Sequence, residues 1–281
     1  MEKGDVEMFL LDELYKENQN YPKSGTMLEK FIFYRRNNDD IDVDVCKYNM
    51  ENYLITNPCI CKAAKIVKQP SYNKSKKKYQ ISDGKHIFRG ETLINCMQVL
   101  LQIVNLDDED TRILSGDYDE ILNGINNSSI FAGNERMREL LNSFIEECYS
   151  EGNFFAIPFI HGYSLNNAKG RLKQKGFQES MVDSADTYFK VCFNYFTNGI
   201  VGCQLIKYID GYYDVWKNRY TKNWPQFVHD NLFQDYVNEK YIPIQMWKMN
   251  TGDITKDLED YLENAISFLA KRRERIEKSK S

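Results

Sequence analysis

Residues 153–196 read NFFAIPFIHGYSLNNAKGRLKQKGFQESMVDSADTYFKVCFNYF. Phe154–Ile160 is apolar at every position, the pattern of a strand buried on both faces. Pro158 lacks an N–H, which places that strand at an edge or near a strand end. His161-Gly162 breaks it, and Ser164–Gly170 reads as a short helix with Ser164 as N-cap and Gly170 as its left-handed stop. The segment Glu179–Phe196 then reads as a two-faced helix at about 100° per residue. Val182, Ala185, Phe189, Cys192 and Phe196 share one side, and Asp183, Asp186, Lys190 and Asn194 share the other. Asp186 and Lys190 stand four apart, in the order that favours an ion pair.

To the N-terminal side, residues 6–17 read as a short amphipathic helix. Thr26-x-x-Glu29 is a capping-box pattern opening a helix over about 27–36. Ile41–Tyr48 alternates apolar and polar residues as a half-buried strand does, and Tyr53–Thr56 is a second strand candidate. Gly90–Val104 is almost continuously apolar after Glu91 and reads as a buried helix. Acids at 117, 119 and 120 precede Ile121, Leu122 and Ile125, which fits charges at a helix N-terminus better than a metal-binding cluster. Asn134–Glu147 is a further amphipathic helix.

To the C-terminal side, 198–209, 210–219 and 226–238 read as helices, with Pro225 suited to a first helical turn. Ile242–Trp247 is a short apolar connection. The last helix is the clearest: Ile254, Leu258, Tyr261, Leu262, Ala265, Ile266, Leu269, Arg272 and Ile276 recur at helical spacing. Acids fill its first half and bases its second, as the macrodipole favours.

These patterns give a mainly helical α+β fold with a small antiparallel sheet near the N-terminal half, from 41–56, 79–88 and 153–160. No long low-complexity linker interrupts the 281 residues, so 1–281 is expected to be a single domain. Its mixed α/β part covers about 1–160 and its helical part about 161–281.

The chain is 42% hydrophobic and 14% aromatic, which excludes a disordered protein. No run reaches the roughly 18 apolar residues of a membrane span, and residues 1–18 carry acids through their apolar patch, so a cytoplasmic protein is expected. Seven cysteines, an odd number lying mostly in apolar segments, agree with a reducing compartment. Cys59-x-Cys61 has no partner pair at zinc-ribbon spacing, and neither a metal nor a cofactor is expected. Walker, dinucleotide-binding, nucleophile-elbow and zinc-protease motifs are missing from the sequence.

Residues 62–89 carry nine Lys or Arg against Asp83 alone, in a chain of net charge −4. Lys74, Lys76, Lys77 and Lys78 are the densest part. One reading is a solvated hairpin whose lysines guard a sheet edge; the other is a surface that contacts phosphate.

The motif pair around 164–186 resembles a bacterial domain family of unknown function. That family pairs an apolar strand with Thr/Ser-Ile/Leu-Asn-x-Ala-Arg/Lys-Gly and then Asp-Arg-Phe-Asp opening a helix. Here stand Ser164-Leu165-Asn166-Asn167-Ala168-Lys169-Gly170 and Asp183-Ser184-Ala185-Asp186. A looser aromatic similarity follows at Tyr213, Trp216, Phe227, Asp230, Phe233 and Asp235, and the likeness extends over about 149–276. The spacing between the motifs is longer here, and Ser184 replaces a basic residue, which weakens any anion-binding role at that position. The resemblance implies a fold and a candidate surface but no reaction.

Three functional expectations follow. The first is a non-enzymatic binding protein of a bacterial or phage-related system, with nucleic acid or a protein as partner and a contact surface formed by the basic segment 62–89, with Lys74, Lys76, Lys77 and Lys78, and by the Asn166/Lys169 turn. The second is a hydrolase-like or transferase-like enzyme on a cleft of Asn166, Lys169, Asp183 and Asp186, with Lys190 and Asn194 as ligand-binding neighbours. His161, Asp183 and Asp186 are its candidate catalytic groups. The third is a helical interaction scaffold. The sequence leaves the oligomeric state open.

Overall fold

The computed structural model describes residues 19–37, 71–73, 78–82, 87–106, 118–159, 193–194, 196–197, 220, 222–247 and 252–280. These residues are mainly helical. The expected helix at 6–17, the strands at 41–48 and 53–56, and the helices at 164–170, 198–209 and 210–219 lie outside them.

Helix α1 spans Met27–Asn37. Its start is the capping box that the sequence spells. The Glu29 N–H donates to Thr26 Oγ1 at 3.2 Å, and the Thr26 N–H donates to Glu29 Oε2 at 2.7 Å. Two free amides of the first turn are thereby satisfied. Leu28, Phe31 and Ile32 face the core, and the Leu28 N–H reaches Asn142 Oδ1 on a neighbouring helix at 3.4 Å.

Four strands follow: β1 (Ser71–Asn73), β2 (Lys78–Ser82), β3 (Ile87–Thr92) and β4 (Phe154–Phe159). They pair antiparallel in the order β1-β2-β3-β4. Lys78 stands opposite Asn73 in the first pair, and Phe88 stands opposite Pro158 in the last. Among the described strands β4 is terminal in the sheet, the position where a residue without an N–H costs least.

The helix read from the sequence as Gly90–Val104 is shorter. Residues 90–92 complete β3, and α2 begins at Cys96 and ends at Val104. The reason is hydrogen bonding. The Leu93 N–H donates to the Asn153 carbonyl at 2.8 Å, and the Ile94 N–H donates to Asn153 Oδ1 at 2.8 Å. Those amides prolong the β3–β4 pairing, and Asn95 then caps α2 by accepting from the Gln98 N–H at 3.2 Å.

Helix α3 covers Tyr118–Asn127 with Asp119 and Glu120 in its first turn, as the charge pattern anticipates. Ile121 and Ile125 are its buried residues. Helix α4 covers Glu135–Cys148, capped by Asn134, whose side chain accepts from the Met137 N–H at 3.3 Å. A single 3-10 turn, Glu151–Asn153, joins α4 to β4.

Helix α5 covers Trp224–Asp230, with Pro225 in its first turn. The sequence reads one helix over 226–238, but the chain leaves the helix at Asn231. Leu232 adopts φ +59°, the Leu232 N–H donates to His229 O at 3.2 Å, and the Phe233 N–H donates to Val228 O at 2.8 Å. That is a Schellman stop with leucine where glycine is usual. A left-handed leucine costs roughly 1–2 kcal/mol. Burial of its side chain offsets this, since burying a leucine contributes about 1.5–3 kcal/mol. A second 3-10 turn, Gln234–Tyr236, follows.

Helix α6, Ile254–Lys280, packs on α4 and on both 3-10 turns. Asp253 caps it, accepting from the Thr255 and Lys256 N–H groups at 2.9 and 3.2 Å. Leu258, Tyr261, Leu262, Ala265, Leu269 and Ile276 are all fully buried. Arg272 falls on that same stripe and is 0% exposed. Its Nη1 donates to Gly152 O at 2.6 Å and its Nε to Asn231 O at 3.1 Å, and its guanidinium lies 5.1 Å from the Phe233 ring centre. The helix comes so close to the 151–153 turn that a Cβ on Gly152 would sit 2.1 Å from Leu269 O.

Arg272→Ala removes both bonds and leaves two buried carbonyls facing a cavity, so it is expected to lower stability by about 3–5 kcal/mol. Urea unfolding should show a lower midpoint at an unchanged slope. A loss below about 1 kcal/mol would mean that α6 is held by its apolar stripe alone.

A second expectation concerns acid. The hydrogen bond from Arg136 on α4 holds the Glu259 carboxyl of α6 below its ordinary value, burial opposes this, and Lys256 adds to the lowering. The pair's stabilisation is therefore complete above about 4.5, where the unfolded carboxyl titrates, and fades as pH falls through the lower folded value. Arg136→Gln should lower the thermal midpoint at neutral pH, with the gap from the parent protein closing as pH falls below the lowered value of the Glu259 carboxyl. An equal gap at neutral pH and below that value would show that Glu259 is not the partner that matters.

Candidate interaction surface

The C-terminal part of the described chain builds a surface from α5 outward. Phe227 is the centre of an aromatic group with Trp224 stacked on it at 5.3 Å, and Phe196, Tyr220 and Phe233 around it. Asp230 closes the end of the helix. It is buried and accepts from Tyr220 O–H at 3.0 Å and from the Gln226 amide at 2.7 Å. These contacts make α5 a rigid base, because a buried carboxylate is tolerated only with its acceptors satisfied.

A tight turn stands on this base. Val237 bridges to Pro243, the Asn238 N–H donates to Ile242 O at 2.9 Å, and the Ile244 N–H donates to Tyr236 O at 2.8 Å. Asn238 organises the turn with its side chain as well. Its Oδ1 accepts from the Lys240 and Ile242 N–H groups at 2.9 and 3.0 Å, the short-range pattern for which asparagine is favoured in turns. Tyr241 is held at φ +59°. Its carbonyl accepts from Trp224 Nε1 at 2.8 Å, and its N–H donates to Asn238 O at 2.8 Å.

Three side chains meet beside the turn. His229 Nε2 lies 2.9 Å from the Tyr241 hydroxyl, and His229 Nδ1 lies 3.2 Å from the Gln234 amide. His229 is exposed. Ile242 and Ile244, 45% and 41% exposed, are the large apolar side chains that the turn leaves in water.

Of the residues singled out in the sequence, His161, Asn166, Lys169, Asp183, Asp186, Lys190, Lys74, Lys76 and Lys77 lie outside the described residues. Lys78 opens β2, opposite Asn73. Asn194 is helical and exposed, while Phe196, on the apolar side of the same sequence pattern, is 0% exposed. The His229–Tyr241–Gln234 group had no signal at the level of sequence. Its members are separated by 5 and 12 residues and come together only because Leu232 and Asn238 turn the chain. The one local cue is the pair Asn238 and Pro243 bracketing the turn.

Among the described residues, no group of His, Cys, Asp and Glu is arranged to hold a metal ion. No described helix is long and apolar enough to cross a membrane. Compared with known proteins, the chain matches no family model, no curated protein and no solved structure.

Asn238→Ala removes the acceptor for two amides of the turn and should cost about 1 kcal/mol of stability. Amide hydrogen exchange should accelerate at Lys240 and Ile242 while the amides of α6 keep their protection. Uniform acceleration across the protein would show that the turn is part of the global core and not a local unit.

Proposed function

We propose that this is a non-enzymatic binding protein of a bacterial or phage-related system, whose partner is nucleic acid contacted through the basic segment 62–89. The observation that supports this most is the register of the first two strands. Asn73 and Lys78 are paired, and the four residues between them in sequence are Lys74, Ser75, Lys76 and Lys77. Three lysines in four positions therefore connect two paired residues, and Lys78, one of that pair, is a fourth. That density of positive charge, in a chain of net charge −4, favours a polyanion over a general protein surface.

The same proposal includes the α+β architecture with strands from 41–56 joining the small sheet, and kinship with the bacterial family that the 164–186 motifs resemble. A protein partner is the other outcome, and the exposed Ile242 and Ile244 are the described surface that suits one.

The test is anisotropy titration of mixed-sequence duplex and single-stranded DNA and RNA at about 50 and 200 mM salt. Binding through several lysines should weaken steeply with salt, with a slope of about −0.9 per duplex phosphate contact. The variant K74E/K76E/K77E/K78E should lose binding. Binding that is salt-insensitive, or equal in the variant, overturns the proposal.

A further inference from the structure

We propose that Tyr241 is a covalent acyl-acceptor site, taking the acyl group of an activated ester or thioester of an apolar carboxylic acid. The geometry is that of a nucleophile, a base and a group that orients the base. The Tyr241 hydroxyl is 2.9 Å from His229 Nε2, within reach of direct proton transfer. The other ring nitrogen, Nδ1, is 3.2 Å from the Gln234 amide.

An amide's oxygen and nitrogen exchange places by a half-turn of the group. With Oε1 turned toward the ring, Nδ1 carries the imidazole proton and donates it to Oε1. Nε2 is then the acceptor for the phenol proton.

Two further observations converge on the same residue. Tyr241 is held at φ +59°, unusual for a bulky side chain, and its backbone is fastened at both ends by Trp224 Nε1 and Asn238 O. Rare backbone conformations that are over-determined by their surroundings collect at functional positions. The residues that follow, Ile242 and Ile244, are exposed and apolar. They offer a hydrocarbon chain a place to lie and offer nothing to a phosphate. This favours an acyl donor with an apolar chain.

The reaction balances without a redox partner. The phenol oxygen attacks the acyl carbon as His229 Nε2 takes its proton. A new O–C bond forms, the donor's C–O or C–S bond breaks, and the proton passes from Nε2 to the departing alcohol or thiol. The products are an O-acyl tyrosine and that alcohol or thiol. The site uses no residue of the basic segment 62–89, so it is tested independently of nucleic-acid binding.

The experiment treats the full chain at neutral pH with p-nitrophenyl butyrate and follows each of the 19 tyrosines by peptide mass mapping. Tyr241 should acylate at least about tenfold faster than the other tyrosines, and His229→Gln should slow it by about 100-fold, the usual reach of a positioned base. His229→Gln keeps a hydrogen-bonding side chain but cannot take the proton. Gln234→Leu, which leaves His229 in place without its orienting partner, is a second variant with an expected intermediate rate. Ile242→Ser with Ile244→Ser should abolish any preference for butyrate over acetate. Labelling of Tyr241 no faster than that of other tyrosines, unchanged labelling in His229→Gln, or an adduct on His229 in place of Tyr241 overturns the proposal.

Discussion

Arg272 is the constraint on which the described fold depends. A cation fully removed from water carries a desolvation cost of several kcal/mol, so it persists only where the surroundings supply acceptors in fixed places. Two of its donors find them on the main chain, at Gly152 and Asn231, and its flat face lies on Phe233. Main-chain carbonyls point where the local turn directs them. Arg272 is therefore satisfied only if the 151–153 turn and the exit from α5 both have their observed geometry. Apolar burial along α6 supplies most of the attraction but has no direction. The guanidinium supplies the direction, tying together segments that lie 120 and 41 residues from it in sequence.

Asn153, the next residue after Gly152, does the same for the chain on the other side of that turn. Its side chain accepts from the Ile94 N–H and donates to Ile94 O and Cys148 O, so one buried amide joins the end of α4 to the chain between β3 and α2. It is 0% exposed, and each of those groups would be costly to leave unmet in a dry interior. Gly152 sits between these two polar nodes and has no room for a side chain against Leu269. The sequence Gly152-Asn153 thus serves two neighbours at once, which accounts for a 3-10 turn of three residues holding a helix, a strand and a loop in register.

Much of the helical framework was legible from residue pattern. The capping box at Thr26 and Glu29, the acids ahead of Ile121, the Asn134 start and the stripe of α6 all rest on local chemistry that operates wherever those residues fall. Arg272 already stood in the apolar register of α6, so its burial was implicit in the spacing. Two boundaries were not legible. Residues 90–95 carry a helix-like apolar run, but their amides are claimed by Asn153, a residue 59 positions away from Ile94. Residues 231–233 contain no glycine or proline to signal a stop, and the stop is made by a left-handed leucine that tertiary burial supports. The surface around His229 was hidden for the same reason, since the turns that assemble it are not written in periodicity. The polar residues chosen from the 164–190 pattern belong to a part of the chain that the described residues do not reach.

The long reach of α6 also bears on how the protein is made. During synthesis the chain emerges at about 5–20 residues per second. α1, the sheet and α4 are complete when residue 159 has emerged, yet the carbonyl of Gly152 has no Arg272 to receive and the face of α4 has no partner helix. At that rate α6 arrives roughly 6–25 seconds later. For that interval a half-built core stands open on the ribosome. Codon usage over the last hundred residues therefore sets how long that face waits for its partner.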